Sequence, residues 1–562
     1  FNNDNNNSFA PSATTSNGDA TGSNSFGKRF YWEYQAFLNY QKTIGKNHTI
    51  TGTLGFTADH LRSDNFKISM QKYLNESIFT SNAAQIIDLT KTGSTATANA
   101  DASFFGRLGY SFRGKYMAEG TWRRDGSSRF GIYNKWGNFF SGSGAWRFSE
   151  ETFMSRFRNI LDDGKLRFSV GQTGNDRIGD YGSYTLINFG NDDGNSGKTP
   201  EDAPGYYAGN AGAALGTTMG NSAIQWEATT QLDYGIDLVF FKGRMNFTAD
   251  YYTKNTDQLL YNKQLPLETG AKSVTINLGT IVNSGLEFTL GGTPVTKKNF
   301  EWTVSGNISF QQGSIKSLAN HVSFISGNKW LIREGGKIGD FYVYKNLGVY
   351  QYNESNAYDD NWNQLTPQFD AGGAFTGYLQ NGKPYTGPVH SLYSSAGNKL
   401  KGGETIWQNT VKDSIIDDRD RVIAGNALPK YYFGFFNSFR YKNFTLSVLF
   451  NGSIGYQLYN KVRNDQNTFS STYSPPIWDA ILYSWQNPGD IAVYPDFRQI
   501  KKDVNGDVRS GMNSLYIEDA SFIRLSSLRL TYALSAQTAK RFKMKGVSIY
   551  VFGDNLLTWT NY

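Results

Sequence analysis

Few residues in this sequence have the types and spacing that chemistry needs. Its four histidines are His48, His60, His321 and His390, and no two stand at the short spacings that gather imidazoles around one metal ion. With zero cysteines there is no thiolate ligand, no cysteine nucleophile and no disulfide framework. The run Gly194-Asn-Ser-Gly-Lys-Thr199 approaches a phosphate-binding loop, but Asp192 stands where that pattern has its first glycine, and no strand-to-helix context follows. The acids Asp413, Asp417, Asp418 and Asp420 are the metal candidates, and calcium is the ion their hard oxygens would take. Even so, Lys412-Asp-Ser-Ile-Ile-Asp417 lacks the alternating oxygen ligands and the central glycine of a calcium loop. Asp503-Val-Asn-Gly-Asp507 reads better as an Asn-Gly turn. No cofactor is expected, and no constellation supports an enzyme. The candidates for ligand contact are rings far from any strand pattern: Trp330, Trp362, Trp407, Trp478 and Trp485, with Tyr358, Tyr378 and Tyr385. Such rings stack on sugar faces or pack on peptide side chains, and they equally hold loops together or meet a partner.

The elements that position these residues follow from the hydropathy pattern. The chain has 562 residues, of which 40 are Phe, 35 Tyr and 12 Trp, and only 18% are charged, which excludes a disordered tail. No run of eighteen or more apolar residues occurs, which excludes helical membrane spans. A net charge of +7 is too dilute for nucleic acid. What recurs is period-two alternation, in which successive side chains point to opposite faces of a strand. From Ile224 to Phe240, for example, Trp226, Leu232, Tyr234, Ile236 and Leu238 share one face, and Glu227, Gln231, Asp233 and Asp237 the other. The same holds for Phe300 to Phe310, Met245 to Tyr251 and Phe444 to Phe450, and in weaker form elsewhere, giving about fourteen strands.

Alternation alone also fits a soluble β-sandwich, and the connections separate the two. Tight turns at 41–47, 113–114, 242–243, 296–299 and 441–443, with somewhat longer ones at 150–164 and 535–546, alternate with long connections. The long ones are expected near 60–100, 174–223, 253–281, 312–429 and 455–520, with a shorter one at 124–135. An antiparallel meander puts every second turn at the same end, so this rhythm predicts a transmembrane antiparallel β-barrel with short periplasmic turns and long extracellular loops. The aromatic excess then has a cause in interfacial girdles. Lys42, Lys46, Arg113, Lys115, Lys242, Arg244, Lys297, Lys298, Lys442, Lys543 and Lys545 crowd the tight-turn end, where they either meet lipid phosphates or simply solvate the turns. The polar stretch from Phe1 to Gly27 reads as a loop, and the abrupt start and finish read as those of a fragment cut inside a longer protein.

Six stretches carry more than alternation. The first three are Tyr116-Met-Ala-Glu-Gly-Thr-Trp-Arg-Arg-Asp-Gly-Ser-Ser-Arg-Phe-Gly131, Trp136-Gly-Asn-Phe-Phe-Ser-Gly-Ser-Gly-Ala-Trp-Arg-Phe148 and Leu166-Arg-Phe-Ser-Val-Gly-Gln-Thr-Gly-Asn175. Asn283-Ser-Gly-Leu-Glu287, Tyr516-Ile-Glu-Asp-Ala-Ser-Phe-Ile-Arg-Leu525 and Asp554-Asn-Leu-Leu-Thr-Trp559 follow. In content and order they resemble the SusC-like TonB-dependent transporters of Gram-negative outer membranes. The resemblance implies the C-terminal part of a 22-stranded barrel, with about seven strands before this chain, about fourteen in it and one after. The family's N-terminal plug domain and TonB-contacting segment match nothing here. The family often carries a calcium-loop-like motif before a Gly-Asn-x-x-Pro-Lys segment, and Gly425-Asn-Ala-Leu-Pro-Lys430 follows the acidic set at that place.

The implied function is TonB-dependent import of a bulky nutrient, oligosaccharide or peptide, together with a SusD-like lipoprotein lid. TonB would act through the part of the protein outside this chain, and outer-membrane lipid would surround the wall. The alternative is a SusC-like barrel kept as a structural subunit beside other outer-membrane subunits, with transport reduced or lost.

Overall fold

The computed structural model describes residues 2–8, 21–73, 80–88, 91–189, 213–215, 218–467, 478–496 and 513–562. The near-miss phosphate loop and the Asp503–Asp507 turn lie outside the described residues. By its internal contacts the chain divides into two units, Phe1–Leu238 with Asp250–Val282, and Val239–Ala249 with Asn283–Tyr562.

The first unit is an antiparallel ladder. In order its strands are β1 (Asn2–Ser8), β2 (Thr21–Ile44), β3 (His48–Tyr73), β4 (Gly93–Phe112), β5 (Tyr116–Ser127), β6 (Trp136–Trp146) and β7 (Leu161–Asn175). Each pairs with the next, and β8 (Glu227–Phe240) follows β7. The turn between β4 and β5 shows how local chemistry sets register. Arg113 and Gly114 both have positive φ, 55° and 67°, and Lys115 N–H closes on the Phe112 carbonyl at 3.0 Å. Two left-handed residues inside the three-residue loop 113–115 turn the chain back on itself. Phe112 therefore stands opposite Tyr116, and every pair up to Asp101 and Ser127 follows.

With register set, the faces separate. On β5, Tyr116, Ala118, Gly120 and Trp122 share one face with Phe104 and Leu108 of β4 and Phe140 of β6, and Glu119, Thr121 and Arg123 share the other. The apolar face is bare: Leu54, Leu108 and Phe140 keep 65%, 63% and 59% of their surface. A soluble sandwich would cover such rows, because an apolar face of this extent in water drives association.

The second unit repeats the scheme with β9 (Met245–Asp257), β10 (Gly279–Lys297), β11 (Phe300–Leu318), β12 (Tyr431–Tyr441), β13 (Phe444–Ile454), β14 (Phe522–Ala533) and β15 (Ser548–Thr560). The first two contribute to this unit only their residues within its limits. From β10 onward, consecutive strands pair antiparallel.

Every segment read as a strand from alternation overlaps one of these strands, and the ends differ in instructive ways. Ile224 and Trp226, assigned by pattern to β8, precede it. Ile224 is fully buried with Phe130 and Ile178, and Trp226 packs on that cluster with its indole N–H donated to the Lys135 carbonyl at 3.2 Å. The expected loop near 60–100 is much shorter, because β3 and β4 stay paired out to Lys67 and Gly93. The expected loop near 253–281 likewise contains strand residues up to Asp257 and a hairpin of Leu260–Gln264 with Ser273–Asn277. The polar stretch read as a loop through Gly27 is strand at both ends: Asn2–Ser8 pairs with Thr21–Gly27, which in turn pairs with residues 65–71. Backbone amides and carbonyls make these ladders whatever the side chains are. Where neither face is apolar, alternation carries no trace of them.

Candidate functional site

The deepest burial in the second unit lies among the connections. Between β11 and β12 the chain folds into short pairings around a core of Tyr344, Tyr350, Tyr358, Leu392, Leu400, Trp407 and Ile416. Asn346–Val349 pairs with Thr405–Trp407, Thr366–Phe369 with Phe375–Gln380 and then Lys383–Tyr385, and Tyr393–Ser394 runs parallel to Ile415–Ile416. Asn356, 2% exposed, ties these pieces together. Its amide donates to the carbonyls of Leu392 and Leu400 at 2.8 and 2.6 Å, and its oxygen accepts the Leu392 N–H at 2.8 Å. A buried amide with its groups satisfied locks such turns.

This folding sorts the eight candidate rings. Trp407, Tyr358 and Trp485 are buried at 2%, 6% and 8% and cannot stack on a solute; they hold the connections together. Tyr358 shares a 2.7 Å hydrogen bond with the Tyr350 hydroxyl, and the Trp485 indole donates to the Gln351 carbonyl at 3.1 Å. Trp330 stacks on Phe341 with centroids 4.5 Å apart, Tyr378 lies 4.9 Å from Phe375, and Tyr385 donates its hydroxyl to the Pro388 carbonyl. Trp362 sits at φ 63°, a strained setting for a bulky residue, half-buried against Tyr358 and His390. Trp478 is 69% exposed on the short helix Trp478–Leu482.

The four acids come together in one turn without forming an open cage. Asp420 is fully buried and accepts the backbone N–H groups of Thr410, Val411 and Asp417 at 2.7, 3.1 and 3.0 Å. Arg419 bridges Asp413 and Asp417 at 2.9 and 2.7 Å, and Arg421 holds Asp418 at 2.7 Å. Arginines and amides thus occupy the oxygens that calcium would need. Among the described residues no three His, Asp or Glu side chains are placed to hold a metal ion. His321 and His390 pair instead with Glu334 and Asp360, at 2.9 and 2.7 Å.

Electrostatics follow from these partners. Burial, then the hydrogen bond to Asp418, pushes the Tyr344 phenol up to about 12. The Arg419 hydrogen bonds hold the Asp417 carboxyl below the usual carboxylate range, and the Asn363 amides do the same for Asp359. A carboxylate with a depressed folded pKa stabilises the fold above its unfolded pKa, and loses that contribution as pH falls through the folded value. The turn around Asp417 is therefore expected to keep its protection from neutral pH down to the ordinary carboxylate range and to loosen only below it. Hydrogen exchange of residues 405–421, corrected for the intrinsic pH dependence, checks this; loosening already between pH 7 and pH 5 would contradict it.

One polar constellation escaped the sequence reading altogether. Arg167 on β7 donates to Asp237 through Nε and Nη2, both at 2.9 Å, and to Asp250 at 2.8 Å, with Lys165 also on Asp237 at 2.9 Å. Arg129 similarly joins Asp176 and Asp180 at 2.9 and 3.0 Å. In the sequence the only sign was that Asp237 and Asp250 fall on the polar faces of their strands. Their convergence depends on strand order.

Long antiparallel strands joined alternately by tight turns and long folded connections form the wall of a receptor-type β-barrel. A family model described as TonB dependent receptor-like, beta-barrel, matches residues 1–337, and the chain belongs to that family. Among its relatives, the TonB-dependent receptor P39 of Formosa agariphila is 36% identical over 562 residues, covering 99% of this chain and 52% of that protein. The TonB-dependent receptor SusC of Bacteroides thetaiotaomicron is 26% identical over 561 residues, covering 96% of this chain and 49% of that protein. The chain spans about half the length of the curated relatives it matches. In fold it is similar to the RagAB peptide importer in its open-open state, with a TM-score of 0.73, 20% sequence identity and coverage of 99% of this chain and 54% of that one.

Proposed function

We propose that this chain is wall and extracellular connections of an outer-membrane TonB-dependent importer for a bulky nutrient, an oligosaccharide or a peptide. In this reading its strands belong to a single 22-stranded barrel, whose plug and TonB-contacting segment are carried by the rest of the protein, and a SusD-like lipoprotein covers the connections. The observation that carries the reading is the contrast between the two parts of the strands' surroundings. Strand faces leave Leu, Phe and Trp bare, as lipid requires, and the long connections are folded around a core of their own. Loops that merely joined strands would need no such core, whereas loops that grip a solute or a partner need defined geometry. The 36% identity to P39 across nearly the whole chain supports the same reading, and the peptide importer similar in fold supports a peptide as one of the two solute classes.

Among the candidate rings, Trp478 has the exposure to touch a solute or the lid, and Trp330, Trp362, Tyr378 and Tyr385 are half-buried in the connections. A strain lacking the full-length gene is expected to lose growth on one class of oligosaccharide or peptide, and to regain it with the wild-type gene but not with one lacking the TonB-contacting segment. If no solute loses import while envelope assembly fails, the barrel is a structural subunit and the importer reading is wrong.

A further inference from the structure

The apolar face of the first unit is interrupted by a groove of about 710 Å³. Its floor is made by Gly52 of β3, Gly106 of β4 and Gly120 of β5, and its walls by Leu38, Leu54, Leu108, Trp122 and Phe140. Register explains the shape. Tyr40, Gly52, Leu108 and Gly120 follow one another across four strands, and Leu38, Leu54, Gly106, Trp122 and Phe140 make the adjoining row. The glycines are not forced by their own surroundings. None has a left-handed φ. A Cβ on Gly120 would meet nothing within 4 Å, one on Gly52 nothing closer than 3.9 Å, and one on Gly106 only the movable Leu54 Cδ2 at 3.3 Å. Glycine weakens a strand interior, and where neither turn nor bulge calls for it, it marks close approach by a ligand or another backbone.

The end of the groove toward the tight turns is polar and cationic. Lys42 is the next residue after Tyr40 on the same face, about 7 Å further along β2. His48 and Tyr110 meet there at 2.8 Å, and Arg113 lies over the Phe112 ring at 5.1 Å. Lys42 and Arg113 have no carboxylate partner among the described residues, unlike Lys115, which reaches Glu151 at 3.6 Å. An apolar slot ending at unpaired cations complements an acyl chain that carries a phosphate.

We propose that this groove binds one acyl chain of a membrane phospholipid, its phosphate held by Lys42 and Arg113. The site rests on the outer-membrane reading above, in which the tight turns lie at the leaflet facing the periplasm. Its ligand is retained by shape and charge together, whereas lipid elsewhere on the wall meets only the apolar face.

The test uses the full-length receptor in a mild non-ionic detergent, incubated with dipalmitoyl phosphatidylethanolamine and weighed intact by native mass spectrometry. Wild type is expected to hold the phospholipid stoichiometrically, Gly120→Leu to lose it, and Lys42→Glu to hold it more weakly. Resistance of the barrel to SDS without heating shows that each variant is folded. Equal retention by a folded Gly120→Leu variant overturns the proposal, as does a wild type that holds none. Gly120→Cys, in 562 residues without a native cysteine, reports the other occupants: a cross-link to a second copy or to another protein makes the groove a protein interface and also overturns it. Release of the receptor from membranes without detergent is a separate result, and it fells the outer-membrane reading itself.

Discussion

Asp420→Ala is expected to unfold the connection between β11 and β12 locally, at a cost of about 3–5 kcal/mol to that region. The carboxylate is wholly enclosed, and three backbone N–H groups from two separate stretches, 410–411 and 417, converge on it. Alanine leaves those three donors without an acceptor in a place water does not reach, which costs their desolvation in full. Asp420→Asn keeps the shape but turns one acceptor into a donor facing amides, and a cost of about 1–3 kcal/mol follows. Protease nicking and hydrogen exchange across residues 405–421 read the effect, with strands β12 and β13 as the internal control. Unchanged protection in the alanine variant would mean that these amides find other partners.

The second large effect separates two tryptophans that the sequence treats alike. Trp407→Ala is expected to cost about 3–5 kcal/mol, as large-to-small changes in a packed core do. Its ring is 2% exposed and meets Tyr344 edge-on with centroids 5.9 Å apart. Trp478→Ala, on a ring 69% exposed, is expected to change stability by no more than about 0.5 kcal/mol. Hydrogen-exchange protection of residues 340–426 measures the first. Solute binding or growth on the transported nutrient measures what the second contributes. A Trp407→Ala variant that kept full protection yet lost binding would return that ring to the ligand surface.

The strands were legible because their signal is local. Side chains of successive residues in a strand must point to opposite faces, so a wall with one apolar face writes period two into the chain, as in Phe300–Phe310 and Phe444–Phe450. The same logic explains what stayed hidden. Beyond the apolar band, at 60–67 and 93–100, β3 and β4 continue as a ladder whose faces mix charged, polar and small residues, and little in the pattern announces it. The short pairings of the connections were equally silent, since strands of two to six residues hold no periodicity and their partners are remote, as with Tyr393 beside Ile415.

The candidate site shows the same division. Residue type picked out the acids at 413–420 and the eight rings. Type could not show that Arg419 and Arg421 fill the oxygens of Asp413, Asp417 and Asp418, or that Asp420 is sealed around backbone amides. Nor could it find Arg167, whose carboxylate partners Asp237 and Asp250 lie 70 and 83 residues away.

From the sequence alone came the strands, the rhythm of short and long connections and hence the class of wall, because covalent geometry ties each of these to neighbouring residues. Only the tertiary structure decided which loop rings are core and which are surface, which acids are already paired, and where three glycines line up into a groove. Those outcomes depend on strand order and on the folding of the long connections, which bring together residues that no local pattern relates.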